Sequence, residues 1–155
     1  MSRLRIAAVL IGLMTAAPAT AERQRLDPSD VAALAKSGAG AGTSGVAGIV
    51  TTVLAGDPTK AGPYTIALSV PADTRIAAHT HRDDRSAIVV SGTWYFGYGA
   101  MADPAQAKPL PPGSFYTESA NDPHFALTRE TPVTVYISGF GPTDTEYVAA
   151  DPPGT

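Results

Sequence analysis

Ala78-His79-Thr80-His81-Arg82-Asp83-Asp84-Arg85 runs into the apolar stretch Ser86 to Ser91 and stops at Gly92. Side chains on a strand alternate with period 2, so His79 and His81 point to the same face. The 155-residue chain has only three histidines, and the third, His124, lies in Asn121-Asp122-Pro123-His124-Phe125. An i, i+2 pair on one strand with a distant imidazole on another is a donor set suited to a divalent first-row metal.

The sequence around this stretch is punctuated for strands. Ile49 to Leu54 is β-branched and ends at Gly56-Asp57-Pro58, and Tyr64 to Val70 alternates and ends at Pro71-Ala72-Asp73. Arg75 to His81, Ser86 to Ser91, Thr93 to Tyr98, Ser114 to Thr117, His124 to Thr128, Val133 to Ser138 and Thr145 to Val148 follow. About nine short strands separated by turn residues indicate an all-β sandwich or barrel, and 15 Gly with 14 Pro fit that pattern. Alternation places Trp94, Phe96 and Tyr98 on one face and Tyr95 on the other, as core or interface residues. Gly97 and Gly99 suggest a bulge or a close backbone approach.

Ahead of the strands, Leu26 to Gly38 reads as a short helix. Asp27 is its N-cap, Pro28 its first residue and Gly38 its stop, with Val31, Leu34 and Ala35 as a narrow apolar stripe. The Gly- and Ala-rich stretch from Gly38 to Gly48 reads as a flexible connector, since no Gly-Lys-Ser/Thr follows to make a phosphate loop. The first 21 residues have the form of a secretory signal: Arg3 and Arg5, an apolar core from Ile6 to Met14, and Ala19-Thr20-Ala21 as a cleavage pattern. The apolar run is short for a membrane span, which makes a retained anchor the lesser alternative. Cleavage would leave 134 residues beginning at Glu22. Lys+Arg would fall from 11 to 9 against 14 Asp+Glu, taking the net charge from −3 to −5. The expected layout is a signal peptide (1–21), a helix with its connector (22–48), and one β domain (49–150), in a periplasmic or secreted bacterial protein.

Several functions are excluded at this level. The negative charge and the lack of a basic run argue against a nucleic-acid surface. With no cysteine, disulfides, thiolate metal sites and a cysteine nucleophile are ruled out. No Gly-x-Ser-x-Gly elbow supports a hydrolytic triad.

The stretch from about Ile49 to Val148 resembles the small single-domain cupins, jelly-roll β-barrels with two metal-binding motifs. On the first motif, G-x5-H-x-H-x3,4-E-x6-G, the register places Asp73 at the first Gly, His79 and His81 at the histidines, Arg85 at the Glu and Gly92 at the last Gly. On the second, G-x5-P-x-G-x2-H-x3-N, it places Gly113, Ser119, Asn121, His124 and Thr128. Spacing is kept while about half of the letters change, and Asn121 in place of Gly is mild because Asn tolerates positive φ. The resemblance implies a cupin jelly roll and a divalent metal (Fe, Mn, Zn or Ni) held by His79, His81 and His124. It implies an enzyme of the dioxygenase class ahead of an isomerase or lyase, with a small organic substrate and a homodimer as the assembly. A purely structural zinc site is second choice, because cupin barrels keep open positions at the metal.

Arg85 stands where the motif has its carboxylate, and a guanidinium has no lone pair to give a metal. Strand parity puts Arg85 on the face of His79 and His81. Three arrangements remain open. In the favoured one, the site is three-His and Arg85 receives a substrate carboxylate. Alternatively Glu118, on the parity of His124, approaches the metal or pairs with Arg85, or a bulge turns Asp83 or Asp84 inward. The bland alternative is that Arg82 to Arg85 form a solvated charge cluster at a turn. A non-catalytic periplasmic cupin that binds or senses a small ligand or metal is the rival function.

Overall fold

The computed structural model describes residues 23–38 and 44–148. Its elements, in chain order, are α1 (Pro28–Ala33), β1 (Lys36–Ser37), β2 (Val50–Ala55), β3 (Gly62–Val70), β4 (Arg75–Thr80) and β5 (Arg85–Ser91). They continue with β6 (Trp94–Tyr98), β7 (Lys108–Leu110), β8 (Phe115–Glu118), β9 (His124–Leu127), β10 (Val133–Gly141) and β11 (Glu146–Tyr147). All nine expected strands are present with ends shifted by a few residues, and β1 and β7 add to them. No helix among the described residues is long and apolar enough to cross a membrane.

The strands form two antiparallel sheets, ordered β1-β2-β3-β10-β5-β8 and β11-β4-β9-β6-β7. Period-2 alternation turns one face of each inward. The larger sheet contributes Ile66, Leu68, Val89, Val135 and Ile137, and the smaller contributes Ile76, Trp94, Phe96 and Ala126. The strand pattern predicts a sandwich or barrel and the resemblance a jelly roll, and two facing antiparallel sheets are what is found. Pro109 is on β7 at a sheet edge, and Pro63 lies beyond the last β2–β3 pair, Ala55 with Thr65.

The helix is shorter than expected. Asp27 caps it as predicted, accepting from the backbone N–H groups of Ser29 and Asp30 at 2.8 and 3.0 Å while Asp30 accepts from the Asp27 N–H in return. It ends at Ala33 with Leu34 as C-cap, well before Gly38. The residues beyond it find another use for their backbone groups, because Lys36 and Ser37 pair with Thr52 and Thr51 as an edge strand. Val31 and Leu34 are half-buried and Ala35 is exposed. The signal-like residues 1–21 and the middle of the connector, 39–43, lie outside the described residues. Beyond them Ser44 is buried and Val46 packs on the main core.

Two positions of the motif glycines carry other residues and still adopt the left-handed backbone: Asp73 at φ 54° and Asn121 at φ 60°. Both are types that tolerate αL. The reading of Asn121 as a mild replacement agrees with this geometry.

Gly97 shows the close approach suspected from its place in an aromatic strand. The inner strand β9 is buried on both faces, with Phe125 and Leu127 packed against Ala78, Tyr95, Ala107 and Val148 on the outer side. A Cβ at Gly97 would lie 2.3 Å from the ring of Phe125, itself 1% exposed. The ring has no room to retreat. Gly97→Ala is therefore expected to destabilise the fold by about 1–3 kcal/mol, read from denaturant titration. An unchanged midpoint would show that Phe125 is not packed against β6 as described.

Candidate metal centre

The site is assembled by the β4–β9 ladder. His79 on β4 and His124 on β9 are direct Cα partners, and His81 lies just past the end of β4. The three ring centroids are 4.5 to 5.1 Å apart, all three residues are buried, and their ligand atoms lie within 4.8 Å of one another. Among the described residues this is the one group of at least three such side chains.

Each ring is tied by its other nitrogen to a backbone carbonyl. The Nδ1 of His79 is 2.7 Å from the Ala77 oxygen, that of His124 is 3.0 Å from the Asp122 oxygen, and that of His81 contacts the Asp144 oxygen. A carbonyl only accepts, so Nδ1 must carry the proton in all three rings and Nε2 keeps its lone pair. The Nε2 atoms of His81 and His124 are buried with no hydrogen-bond partner. Orphaned buried acceptors are costly unless something satisfies them. A metal ion does so, and the residues present fit one.

Protonation is disfavoured as well. Burial, reinforced by His124, lowers the His79 pKa to about 4; burial, reinforced by Arg85, lowers that of His81 to about 3. Burial also pushes His124 down, against the pull of Glu118. Three neutral imidazoles are what a cation needs.

The stretch Arg82 to Arg85 divides into inward and outward residues. Arg82 and Asp84 are exposed, as in a solvated turn. Arg82 Nε donates to Asp144 at 2.5 Å, which holds the loop whose carbonyl orients His81, and Asp84 accepts from the Ala120 N–H at 2.8 Å. Asp83 does turn inward, yet away from the imidazoles: it accepts from the hydroxyls of Tyr64 at 2.8 Å and Thr143 at 2.6 Å. Arg85 lines the cavity of the three histidines, reaching it from β5 in the facing sheet. Parity along one continuous strand is not the reason it points there, since the chain changes sheets at Asp83-Asp84.

Arg85 meets Glu118, its Cα partner on β8. Arg85 Nε is 2.6 Å from Glu118 Oε2, and a terminal guanidinium nitrogen contacts the same oxygen. Both residues are about 95% removed from solvent, with relative exposures of 5% and 4%. Burial pushes the Glu118 pKa up, but the Arg85 guanidinium more than offsets it and leaves the carboxyl below its ordinary range. Glu118 Oε2 also lies 3.7 Å from His124 Nε2 and 3.9 Å from His81 Nε2. These are not ion pairs while the imidazoles are neutral. Of the arrangements open from the sequence, the pairing of Glu118 with Arg85 is the one this geometry contains.

Apolar side chains complete the walls, among them Leu68, Ile76, Trp94 and Ile137, and Phe96 stacks on His124 at 5.5 Å between centroids. Of the other aromatics, Tyr98 is 55% exposed and packs edge-on against Phe96, with its hydroxyl donating to the Thr117 carbonyl at 2.8 Å. Ser44, Asp144 and Tyr147 had no signal in the sequence. Tyr147 donates to the Ser44 carbonyl and sits 5.8 Å from the His79 ring, so that the N-terminal segment is fastened beside the site. The cavity these residues enclose is small, about 20 Å³, which is room for an ion or a water.

No protein-family model and no curated protein matches the chain. Solved structures do. The polyketide cyclase RemF from Streptomyces resistomycificus is similar at 15% identity and a TM-score of 0.63, covering 84% of this chain and 88% of its own. An RmlC-like cupin from Shewanella frigidimarina is similar at 12% identity and 0.57, covering 77% and 92%. The DMSP lyase DddQ from Ruegeria pomeroyi is similar at 16% identity and 0.55, covering 66% of this chain and 54% of the lyase. This chain likewise covers 52% of the chain matched in a second set of DMSP lyase structures, so it spans about half the length of those relatives. The protein has the cupin fold, and its structural neighbours include enzymes.

The histidine shifts have a consequence for stability. An imidazole has an ordinary pKa of 6.5, and in the folded chain His79 and His81 remain neutral to about 4 and about 3. Between those limits the unfolded chain binds more protons, so the stability present above pH 6.5 is lost as pH falls through that window. Glu118, also lowered, acts in the same direction. The melting temperature of metal-free protein is expected to drop steadily from about pH 6.5 to about pH 4. A flat profile across that window would contradict the buried neutral imidazoles.

Proposed function

We propose that the protein is an exported, metal-dependent cupin enzyme acting on a small organic substrate, with dioxygenase-like chemistry as its leading class. The observation that carries the reading is the set of three buried imidazoles, each with Nδ1 tied to a carbonyl and two with orphaned Nε2 atoms. His79, His81 and His124 would hold the ion, which would supply Lewis acidity or oxygen activation when bound. Arg85 places a fixed positive charge in the same cavity. A substrate bearing a carboxylate would have to share or displace Glu118, which already takes the Arg85 Nε and a terminal nitrogen. Leu68, Ile76, Trp94, Phe96 and Ile137 keep water away and so strengthen the attraction to the guanidinium. The tight cavity requires a side chain or the Ser44 segment to move before an organic molecule enters.

The cavity's small size also supports the rival reading, a non-catalytic module that binds or senses a metal. Both readings need the ion; they part on turnover. The protein recovered from a bacterial periplasm is expected to begin at Glu22 by mass spectrometry and to contain about one metal equivalent per chain. His79→Ala is expected to lose that metal. Oxygen uptake with a panel of small carboxylates and thiols is then expected from wild type, at least tenfold reduced in Arg85→Ala and absent in His79→Ala. Turnover that survives His79→Ala would overturn the enzyme assignment. A metal-loaded protein inert to the whole panel would support the binding module.

A further inference from the structure

The geometry points to Glu118 as the carboxylate ligand of this centre, supplied from the facing sheet, with Arg85 as the residue that aims it. The inference rests on the proposed metal centre and adds a fourth protein donor to it. Arg85 occupies the first-motif position where cupins resembling this chain carry their Glu, and Glu118 arrives from β8, on the strand that pairs with β5. A metal with bonds of about 2.1 Å to nitrogen and oxygen holds tetrahedral ligand atoms about 3.4 Å apart. Glu118 Oε2 stands at 3.7 and 3.9 Å from two Nε2 atoms that have no other partner. The three imidazoles alone fall within 4.8 Å of one another as a ligand group, so completing the set takes a swing of the Glu118 carboxylate toward His79.

Charge makes the same demand. Three neutral imidazoles offset none of a divalent cation's charge, and the buried Arg85 guanidinium beside them opposes it. An ion held there without an anion would face an uncompensated like charge in a low-dielectric cavity. Among the described residues, Glu118 is the only carboxylate lining the cavity. Its Oε2 already faces both the guanidinium and the imidazoles, so Arg85 positions the ligand while restraining its donor strength.

Cobalt(II) titration separates the possibilities, read by visible absorption, by isotherm and by the metal-induced rise in melting temperature. Wild type is expected to bind one equivalent. Glu118→Gln is expected to bind about tenfold or more weakly, with a changed cobalt spectrum. Arg85→Met is expected to keep binding and to show a larger metal-induced thermal shift than wild type, because the ion then replaces the lost partner of Glu118. Should Glu118→Gln fail to fold, the double variant Arg85→Met/Glu118→Gln removes both charges together and is expected to show the same loss of affinity. Wild-type affinity and spectrum in either Glu118 variant would overturn the inference and leave the three-His centre standing. Failure of wild type itself to bind cobalt, zinc, manganese or iron would overturn both.

Discussion

A guanidinium and a carboxylate buried face to face carry most of the functional meaning of this barrel. Arg85 and Glu118 are Cα partners on neighbouring strands of the larger sheet, and both side chains turn inward. Taking either charge alone out of water costs several kcal/mol, and the pair recovers that only with close, well-directed hydrogen bonds. The contact joins the inner faces of β5 and β8 at the cavity. It also sets the electrostatics of the cavity, since it places one positive and one negative group against imidazoles that burial keeps neutral. Loss of either partner would leave a buried charge exposed to the histidines.

Around that pair the fold works as two clamps. One is the β4–β9 ladder, which makes His79 and His124 neighbours irrespective of their distance in sequence. The other is a set of short backbone ties, from the carbonyls of Ala77, Asp122 and Asp144, that turn each ring to present Nε2. Arg82 contributes at one remove by holding Asp144. A surface ion pair of this kind adds little to stability. Its value here is that the carbonyl it steadies chooses a tautomer.

The likeness to a cyclase, a lyase and an RmlC-like cupin at 12–16% identity places the chain in a fold that serves many reactions. What distinguishes this chain is local: a cation where its resemblance to cupins leads one to expect an acid, and an acid opposite it. That exchange changes the charge inside the cavity without altering the barrel.

Local pattern was enough to read the strands and the helix cap, because alternation and turn residues are properties of short windows, while Asn121 and the histidine trio were read from the spacing of two motifs that resemble those of cupins. The helix end escaped because Lys36 and Ser37 bond to Thr52 and Thr51, partners distant in sequence. The side chain facing Arg85 stayed open among alternatives for the same reason. Asp83, Asp84 and Glu118 are all acids within reach on paper, and only the turn at Asp83-Asp84, the change of sheet and the β5–β8 register decide that Asp83 bonds Tyr64 and Thr143 while Glu118 meets Arg85. The stretch His79 to Arg85, together with His124, marked out a candidate metal centre. Tertiary pairing decided its charge, because a side chain's electrostatic partner is set by what packs across the cavity and not by what lies beside it in the chain.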